Sequence, residues 1–237
     1  MNELNLDDFK GIIFDLDGVI YDITEAIKKA VEDGIEKYQM NVSRDEVMEE
    51  IAHLIEDIQN YPVPEIILNS YTLLDIKFLE GLSFFKKLRI GIYLFTQFNQ
   101  YKDEESKIFE GIAKLISNLS RKNLKLAILT NNKSSYAEEV LSKFNLTKFF
   151  DPIIGFNDVS KVKPDPEGIL KILEIWKIKP SQAIFVGDMT TDIDAGKAAN
   201  VRMICVSSGL AKKETLIEHE PDILVNNTEE LIKIFNI

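Results

Sequence analysis

Hydrophobic and polar positions fall into distinct blocks along this chain, and the first block sets the terms for the rest. Gly11-Ile12-Ile13-Phe14 is an unbroken apolar run that stops abruptly at Asp15-Leu16-Asp17-Gly18. Such a run predicts a parallel strand buried on both faces, with its carboxyl end opening onto a site. Two aspartates at spacing two point the same way from an extended strand, and Gly18 lets the backbone turn at once, so both can face one cavity. The ordinary alternative is a strand ending in a solvated turn, since Asp and Gly are common turn residues.

After Val19-Ile20 the spacing becomes helical. Thr24 stands as a cap before Ile27, Ala30, Val31, Ile35 and Tyr38, which share one side of a helix. Ser43-Arg44-Asp45-Glu46 has capping-box form ahead of Val47, Ile51, Leu54, Ile55 and Ile58, with His53 a partly exposed helix residue. Asn60-Tyr61-Pro62-Val63-Pro64 breaks the run, helical stretches follow over 65–79 and 82–100, and Tyr101-Lys102-Asp103-Glu104-Glu105 reads as a charged link. From Ile108 the rhythm alternates. Helices are expected over 108–121, 135–144, 166–177, 192–199 and 228–235, with strands at Leu126–Leu129, Ile153–Ile154, Ala183–Val186, Met203–Val206 and Ile223–Val225. Ser135 with Glu138 reads as a second capping box, and Asp165-Pro166 as a capping aspartate with proline at the first helical position. Alternation of this kind predicts right-handed crossovers and one parallel sheet. The fold class is therefore α/β. A doubly wound, Rossmann-like core spans residues 1–20 and 108–237, and an all-α helical domain, residues 21–107, is inserted behind the first strand.

Composition narrows the function. With 237 residues, 45% of them hydrophobic, the chain has material for an ample core. A net charge of -11 argues against a broad basic face for nucleic acid or an anionic membrane, and leaves room for a small anion held by a few local cations and backbone N–H groups. The sole cysteine, Cys205, sits inside Met203-Ile204-Cys205-Val206 and reads as a core thiol, so no disulfide framework or cysteine metal site is available. The start, Met1-Asn2-Glu3-Leu4, lacks a basic-then-apolar leader, and no run approaches the roughly 18 apolar residues of a membrane span. A soluble, cytoplasmic protein is expected.

Three further elements bring chemistry to the carboxyl edge where Asp15 and Asp17 emerge. One strand runs into Thr130-Asn131-Asn132, another into Gly187-Asp188-Met189-Thr190-Thr191-Asp192, and Lys161-Val162-Lys163-Pro164 lies in a loop between them. Each has an ordinary alternative: Thr130 as a helix cap, Asp192 as the cap of the helix after it, Lys163 as an exposed lysine. Taken jointly they say more. Asp15, Asp17, Asp188 and Asp192 gathered at one edge would repel one another unless a hard cation held them, and an all-oxygen donor set favours Mg²⁺. A lysine and a threonine hydroxyl beside that metal make a site for an oxyanion.

The order Asp-x-Asp-Gly, strand-ending Thr, Lys-Pro, Gly-Asp-x-x-x-Asp resembles the haloacid dehalogenase-like superfamily, and within it the branch of phosphoglycolate phosphatases and β-phosphoglucomutases. The resemblance runs from residue 11 to about 226 and implies a phosphatase. Asp15 corresponds to the nucleophile that forms an aspartyl phosphate and lends an oxygen to Mg²⁺, and Asp17 to the general acid and base that gives its backbone carbonyl to the metal. Thr130, with the backbone at Asn131, corresponds to the phosphoryl-binding group, Lys163 to the neutralising lysine, and Asp188 and Asp192 to the pair that anchors Mg²⁺. Residues 21–107 correspond to a helical cap that closes over the site and selects the substrate. Lys161 lacks the following proline.

Departures lie in that insertion. Relatives commonly carry Asp-Ser or Asp-Thr where this chain has Tyr21-Asp22-Ile23-Thr24, and the stripe Phe84, Phe85, Ile92, Tyr93, Leu94, Phe95 and Phe98 reads as cap core or dimer surface rather than a substrate pocket. The expected partner is a small phosphorylated metabolite (phosphoglycolate, a sugar phosphate or a nucleotide), with neither nucleic acid nor membrane, for a monomer or homodimer. A phosphosugar mutase on the same core, and a non-catalytic regulatory protein on this fold, are the alternatives.

Overall fold

The computed structural model describes residues 4–48, 50, 79–105, 107–207 and 211–236. The chain divides into two compact units, residues 1–22 with 108–237, and residues 23–107. The first unit opens with β1 (Gly11–Phe14), and its chain leaves through β2 (Tyr21–Asp22) and returns through β3 (Lys107–Ile108), which pair as a separate two-stranded sheet. There follow α3 (Ile112–Arg121), β4 (Lys125–Leu129), α4 (Ser134–Lys143), β5 (Ile153–Ile154), α5 (Glu167–Trp176), β6 (Ala183–Gly187), α6 (Thr190–Ala198), β7 (Arg202–Val206), α7 (Lys213–Glu218), β8 (Ile223–Val225) and α8 (Thr228–Phe235). The second unit contains α1 (Thr24–Tyr38) and α2 (Phe84–Glu105).

Among the described residues the main sheet is six-stranded, in the order β5-β4-β1-β6-β7-β8, with each described pair parallel. The chain winds outward from β1 to β5, then crosses back to β6 and winds outward the other way. That reversal is the switch point of a doubly wound sheet, and it places a crevice at the carboxyl end of β1. Register fixes the height of the edge: Phe14 lies opposite Ile128 on one side and Val186 on the other, so β1, β4 and β6 end level with one another. β1 and β6 are buried throughout, as strands flanked by neighbours and covered on both faces must be.

The helices of this unit bury one stripe each. Ile112, Leu115, Ile116 and Leu119 form that stripe on α3, and Ile169, Ile172, Leu173 and Trp176 on α5, each side chain contributing roughly 1.5–3 kcal/mol by leaving water. α6 differs, burying Thr190, Thr191, Asp192, Ile193, Ala195 and Gly196. A Cβ at Gly196 would stand 3.0 Å from Met203 Sδ, so small residues bring this helix close to β7. Asn123, Asn145 and Asn200 follow α3, α4 and α6 in the left-handed conformation, φ 58° to 60°, which asparagine tolerates better than most residues.

In the second unit α1 packs along α2, with Gly34 against Leu94, where a Cβ would come within 2.4 Å of Leu94 Cδ2. Leu79 and Ile90 are fully buried there among Tyr38, Met40, Leu82 and Leu94. The box at Ser43 forms as read: Ser43 N donates to Glu46 Oε2 at 2.8 Å and Glu46 N to Ser43 Oγ at 3.2 Å. The expectations for Ile51, His53, Leu54, Ile55 and Ile58, for the break at Asn60–Pro64 and for the helix over 65–79 lie outside the described residues. Of the aromatic stripe, Phe84, Phe85, Ile92 and Phe95 are exposed, whereas Tyr93, Leu94 and Phe98 are half-buried.

Several local expectations are corrected. The stretch 101–105 is the last part of α2 rather than a link, because the Tyr101 hydroxyl donates to Asp33 on α1 at 2.5 Å and holds the helix end. Thr24 is the first residue of α1 and not its cap. Residues 107 and 108 form β3, and α3 starts only at Ile112 after a left-handed Gly111. Ser135 does not cap α4; the neighbouring Ser134 N donates to Asn157 Oδ1 at 3.0 Å, a tertiary partner invisible to local spacing. β2 and α7 were not anticipated, being too short to carry a periodic signal. No helix among the described residues is long and apolar enough to cross a membrane.

Candidate functional site

At the end of β1, Asp15 N donates to Val186 O at 2.8 Å, so Asp15 remains on the ladder while its side chain reaches the edge. The chain then closes on itself: Ile20 N and Tyr21 N donate to Leu16 O at 2.9 and 2.8 Å, and Gly18 N to Tyr21 O at 2.8 Å. Gly18 has φ +80°, and a Cβ there would lie 2.0 Å from Asp188 Oδ2. The glycine thus serves twice, by turning the backbone and by making room for a carboxylate from β6.

That carboxylate follows Gly187 at the end of β6. Asp192, at the third position of α6, turns back so that its Oδ2 accepts from Asp188 N at 3.1 Å and Met189 N at 3.0 Å. A Cβ at Gly187 would stand 2.3 Å from Asp192 Cβ, so only glycine admits this return. The helix consequently begins at Thr190, two residues before the sequence expectation. Capping and site chemistry, posed as alternatives for Asp192, fall to different oxygens of one carboxylate.

The other oxygen, Asp192 Oδ1, lies 2.7 Å from Lys163 Nζ, which also reaches Asp15 Oδ1 at 2.8 Å and Leu129 O at 3.3 Å. Lys163 is 4% exposed, so the exposed-loop reading fails for it. Its backbone is clamped by Asn131, whose Nδ2 donates to Lys163 O and whose Oδ1 accepts from Lys163 N, both at 3.2 Å. Lys161, by contrast, is exposed and pairs with Asp165 Oδ2 at 3.4 Å.

Asp15, Asp188 and Asp192 are all buried and offer oxygens within 4.8 Å of one another. Asp188 Oδ1 is buried with no hydrogen-bond partner. Three carboxylates facing one ammonium leave an uncompensated negative charge. Burial pushes the Asp15 carboxyl up to about 7, with Lys163 opposing and Asp192 adding to the rise. Burial, then Asp15 and Asp192, hold Asp188 well above the usual carboxylate range. Burial would lower Lys163, but Asp15 and Asp192 outweigh it and raise its affinity for its proton. The all-oxygen donor set, the surplus negative charge and the orphaned Asp188 oxygen fit a hard divalent cation. Cys205, in the core beneath, has its thiol pushed up by burial and then by Asp188 and Asp192.

Asp17 is half-buried and its carboxylate has different company from Asp15: Asn132 Nδ2 donates to Oδ2 at 2.8 Å and the Tyr136 hydroxyl to Oδ1 at 3.1 Å. Thr130 is buried, and its Oγ1 accepts from Asn132 N at 3.0 Å. Sequence reasoning had not singled out Asn132 or Tyr136. Their only signal is a spacing of four residues at a helix start, just beyond a strand-ending threonine.

Residues 12–206 match the family described as haloacid dehalogenase-like hydrolase. Among curated proteins the chain is 28% identical over 225 residues to PpaX of Caldanaerobacter subterraneus, provisionally named a pyrophosphatase, covering 94% of this chain and 93% of the relative. It is 26% identical over 232 residues to the phosphoglycolate phosphatase of Escherichia coli, covering 95% and 92%. Among solved structures, a Haemophilus somnus protein provisionally assigned as a phosphoglycolate phosphatase shares the fold at a TM-score of 0.72 and 20% identity, covering 97% of this chain and 99% of that one. A Thermotoga maritima protein provisionally named a β-phosphoglucomutase does so at 0.68 and 24%, covering 96% and 99%. The stretch matched to the family takes in every residue of the edge just described, and the chain belongs to the haloacid dehalogenase-like hydrolases.

Proposed function

We propose that the protein is a Mg²⁺-dependent phosphatase that hydrolyses a small phosphorylated metabolite through an aspartyl phosphate on Asp15. One observation carries the reading: a single buried ammonium bridges Asp15 and Asp192 at the switch point, while the neighbouring Asp188 Oδ1 has no donor. Asp15, Asp188 and Asp192 would hold the cation through carboxylate oxygens and Asp17 through its backbone carbonyl. When bound, the cation neutralises charge where an anionic nucleophile meets an anionic substrate. Asp15 attacks phosphorus as the ester P–O bond breaks, and Asp17 gives its proton to the departing oxygen. Asp17 then takes a proton from water, whose oxygen attacks the aspartyl phosphate, releasing phosphate and restoring Asp15. Lys163 neutralises Asp15 and the transferring group, and the Thr130 hydroxyl with the Asn131 N–H binds phosphoryl oxygens.

The relative named phosphoglycolate phosphatase supports phosphoglycolate as the first metabolite to try, ahead of sugar phosphates and nucleoside monophosphates. We assign substrate choice to the helical unit, residues 23–107, as a cap domain. The net charge of -11 favours a small substrate over nucleic acid. The test is phosphate release from p-nitrophenyl phosphate and a panel of phosphorylated metabolites, with and without Mg²⁺, by the natural chain and by Asp15→Asn. Metal-dependent release that Asp15→Asn abolishes is expected. An isomerised sugar phosphate without released phosphate would indicate a mutase, and a folded, metal-binding chain without turnover a binding protein.

A further inference from the structure

The carboxylate of Asp17 is gripped at both oxygens by the start of α4. Asn132 Nδ2 lies 2.8 Å from Oδ2 and the Tyr136 hydroxyl 3.1 Å from Oδ1. Asn132 lies two residues before the helix and Tyr136 is its third residue, and the extended turn at Lys133 brings both donors to the one carboxylate. The base of this fork is fixed by contacts of its own. Thr130 Oγ1 accepts from Asn132 N at 3.0 Å, Asn132 O accepts from Phe156 N at 2.9 Å, and Ser134 N donates to Asn157 Oδ1 at 3.0 Å. Gly155 packs so tightly beneath that a Cβ would stand 2.1 Å from Ser134 N and 2.5 Å from Asn132 O. The two donors therefore sit on an ordered turn, and a two-point grip fixes the plane of the carboxylate as well as its position.

We propose that Asn132 and Tyr136 are positioning residues, which hold Asp17 in the orientation from which it protonates the leaving oxygen and later deprotonates water. The inference rests on the assignment of Asp17 as proton carrier under Proposed function. Neither residue exchanges a proton in the reaction: the proton moves from Asp17 to the departing oxygen as the P–O bond breaks, and from water to Asp17 in the second step. What the donors supply is aim, and a misplacement on the order of 1 Å costs about 100-fold in a reaction that depends on alignment.

A leaving-group comparison tests this. Phenyl and p-nitrophenyl phosphate have similar shapes, but phenolate, with a conjugate-acid pKa of about 10, needs a proton to leave far more than the nitro-substituted anion does. kcat/KM is measured with Mg²⁺ on both esters for the natural chain, Tyr136→Phe, Asn132→Ala and Asp17→Asn, with thermal melting as the check on folding. Tyr136→Phe and Asn132→Ala are expected to lose about 10- to 100-fold on phenyl phosphate and less than about threefold on p-nitrophenyl phosphate, the same bias in kind as Asp17→Asn. Equal losses on the two esters in both folded variants overturn the inference, since a general structural role lowers both alike. Asn132 is exposed, so Asn132→Ala alone decides the matter if Tyr136→Phe does not fold. If Asp17→Asn itself shows no leaving-group bias, or the natural chain hydrolyses neither ester, the reading of Asp17 beneath the inference fails, and the inference with it.

Discussion

Replacing Asp188 by asparagine should make the metal-free protein more stable at neutral pH and less responsive to metal. In the native state Asp15 titrates near 7 against an ordinary 3.8, and Asp188 is also raised. The sign follows from linkage: a carboxyl whose native pKa is raised keeps a proton that the unfolded chain has already released. Its stabilising contribution is full below about pH 4 and is lost as pH climbs towards 7. For Asp15 alone that loss approaches about 4 kcal/mol, at about 1.4 kcal/mol per pKa unit, and Asp188 adds to it. A divalent cation at about 100 times its dissociation constant returns about 2.7 kcal/mol, which for a chain of this size is on the order of 5–10 °C in Tm. Asp188→Asn removes one of three buried carboxyl groups and with it one ligand. The assay is thermal unfolding of both proteins at pH 5 and pH 7.5, each with excess chelator and with Mg²⁺. The natural chain should melt lower at pH 7.5 than at pH 5 without metal, and recover with it. Asp188→Asn should melt higher than the natural chain at pH 7.5 in chelator and gain little from Mg²⁺. A metal increment in the variant as large as in the natural chain would refute the assignment of Asp188, and a natural chain whose Tm ignores metal would refute the cation site.

Three other perturbations separate the parts of the site. Lys163→Ala should lower kcat/KM by about 30- to 1000-fold, corresponding to about 2–4 kcal/mol for one charge contact in a buried site, whereas Lys161→Ala, an exposed partner of Asp165, should stay within about twofold; similar losses in steady-state assays would place the wrong lysine at the phosphate. Asp15→Asn should abolish aspartyl phosphate formation and weaken Mg²⁺ binding, while Asp17→Asn should keep Mg²⁺ binding by calorimetry and lose at least about 100-fold in kcat; metal binding lost at position 17, or near-normal turnover in either variant, contradicts this division of labour. Gly18→Ala should cost about 1–3 kcal/mol in unfolding free energy and impair metal binding, because its Cβ would meet Asp188 Oδ2 at a residue with φ +80°; a variant with unchanged Tm and metal affinity would show that the turn is not constrained as described.

What the sequence made legible here, and what it did not, divides along one physical line. Buried parallel strands announce themselves because apolar character on both faces leaves no polar positions, so the main-sheet strands appear within a residue or two of their observed limits. Asp15 and Asp188 were legible because each is a charge placed where an apolar strand ends, whereas Lys163 was distinguished from Lys161 only by the Lys-Pro step of the family resemblance. Apart from β2 and α7, too short to carry a period, and the start of α1, the failures are interactions between segments distant in the chain. Ser134 is held by Asn157, and the end of α2 by Asp33 on α1, so neither helix limit follows from local caps. Asn132 and Tyr136 look like an ordinary loop residue and an ordinary helix aromatic until the fold brings Asp17, more than a hundred positions earlier in the chain, to their donors. Asp192 shows why weighing single roles misleads at such an edge. A carboxylate has two oxygens; the helix start claims one and the lysine the other, so the residue that ends the strand-to-helix turn also ties that turn to β1 through Lys163 and Asp15. Substitution at position 192 should therefore disturb helix capping and site charge together, whereas Asp188, which caps nothing in this turn, lets the site charge be altered with the helix start left in place.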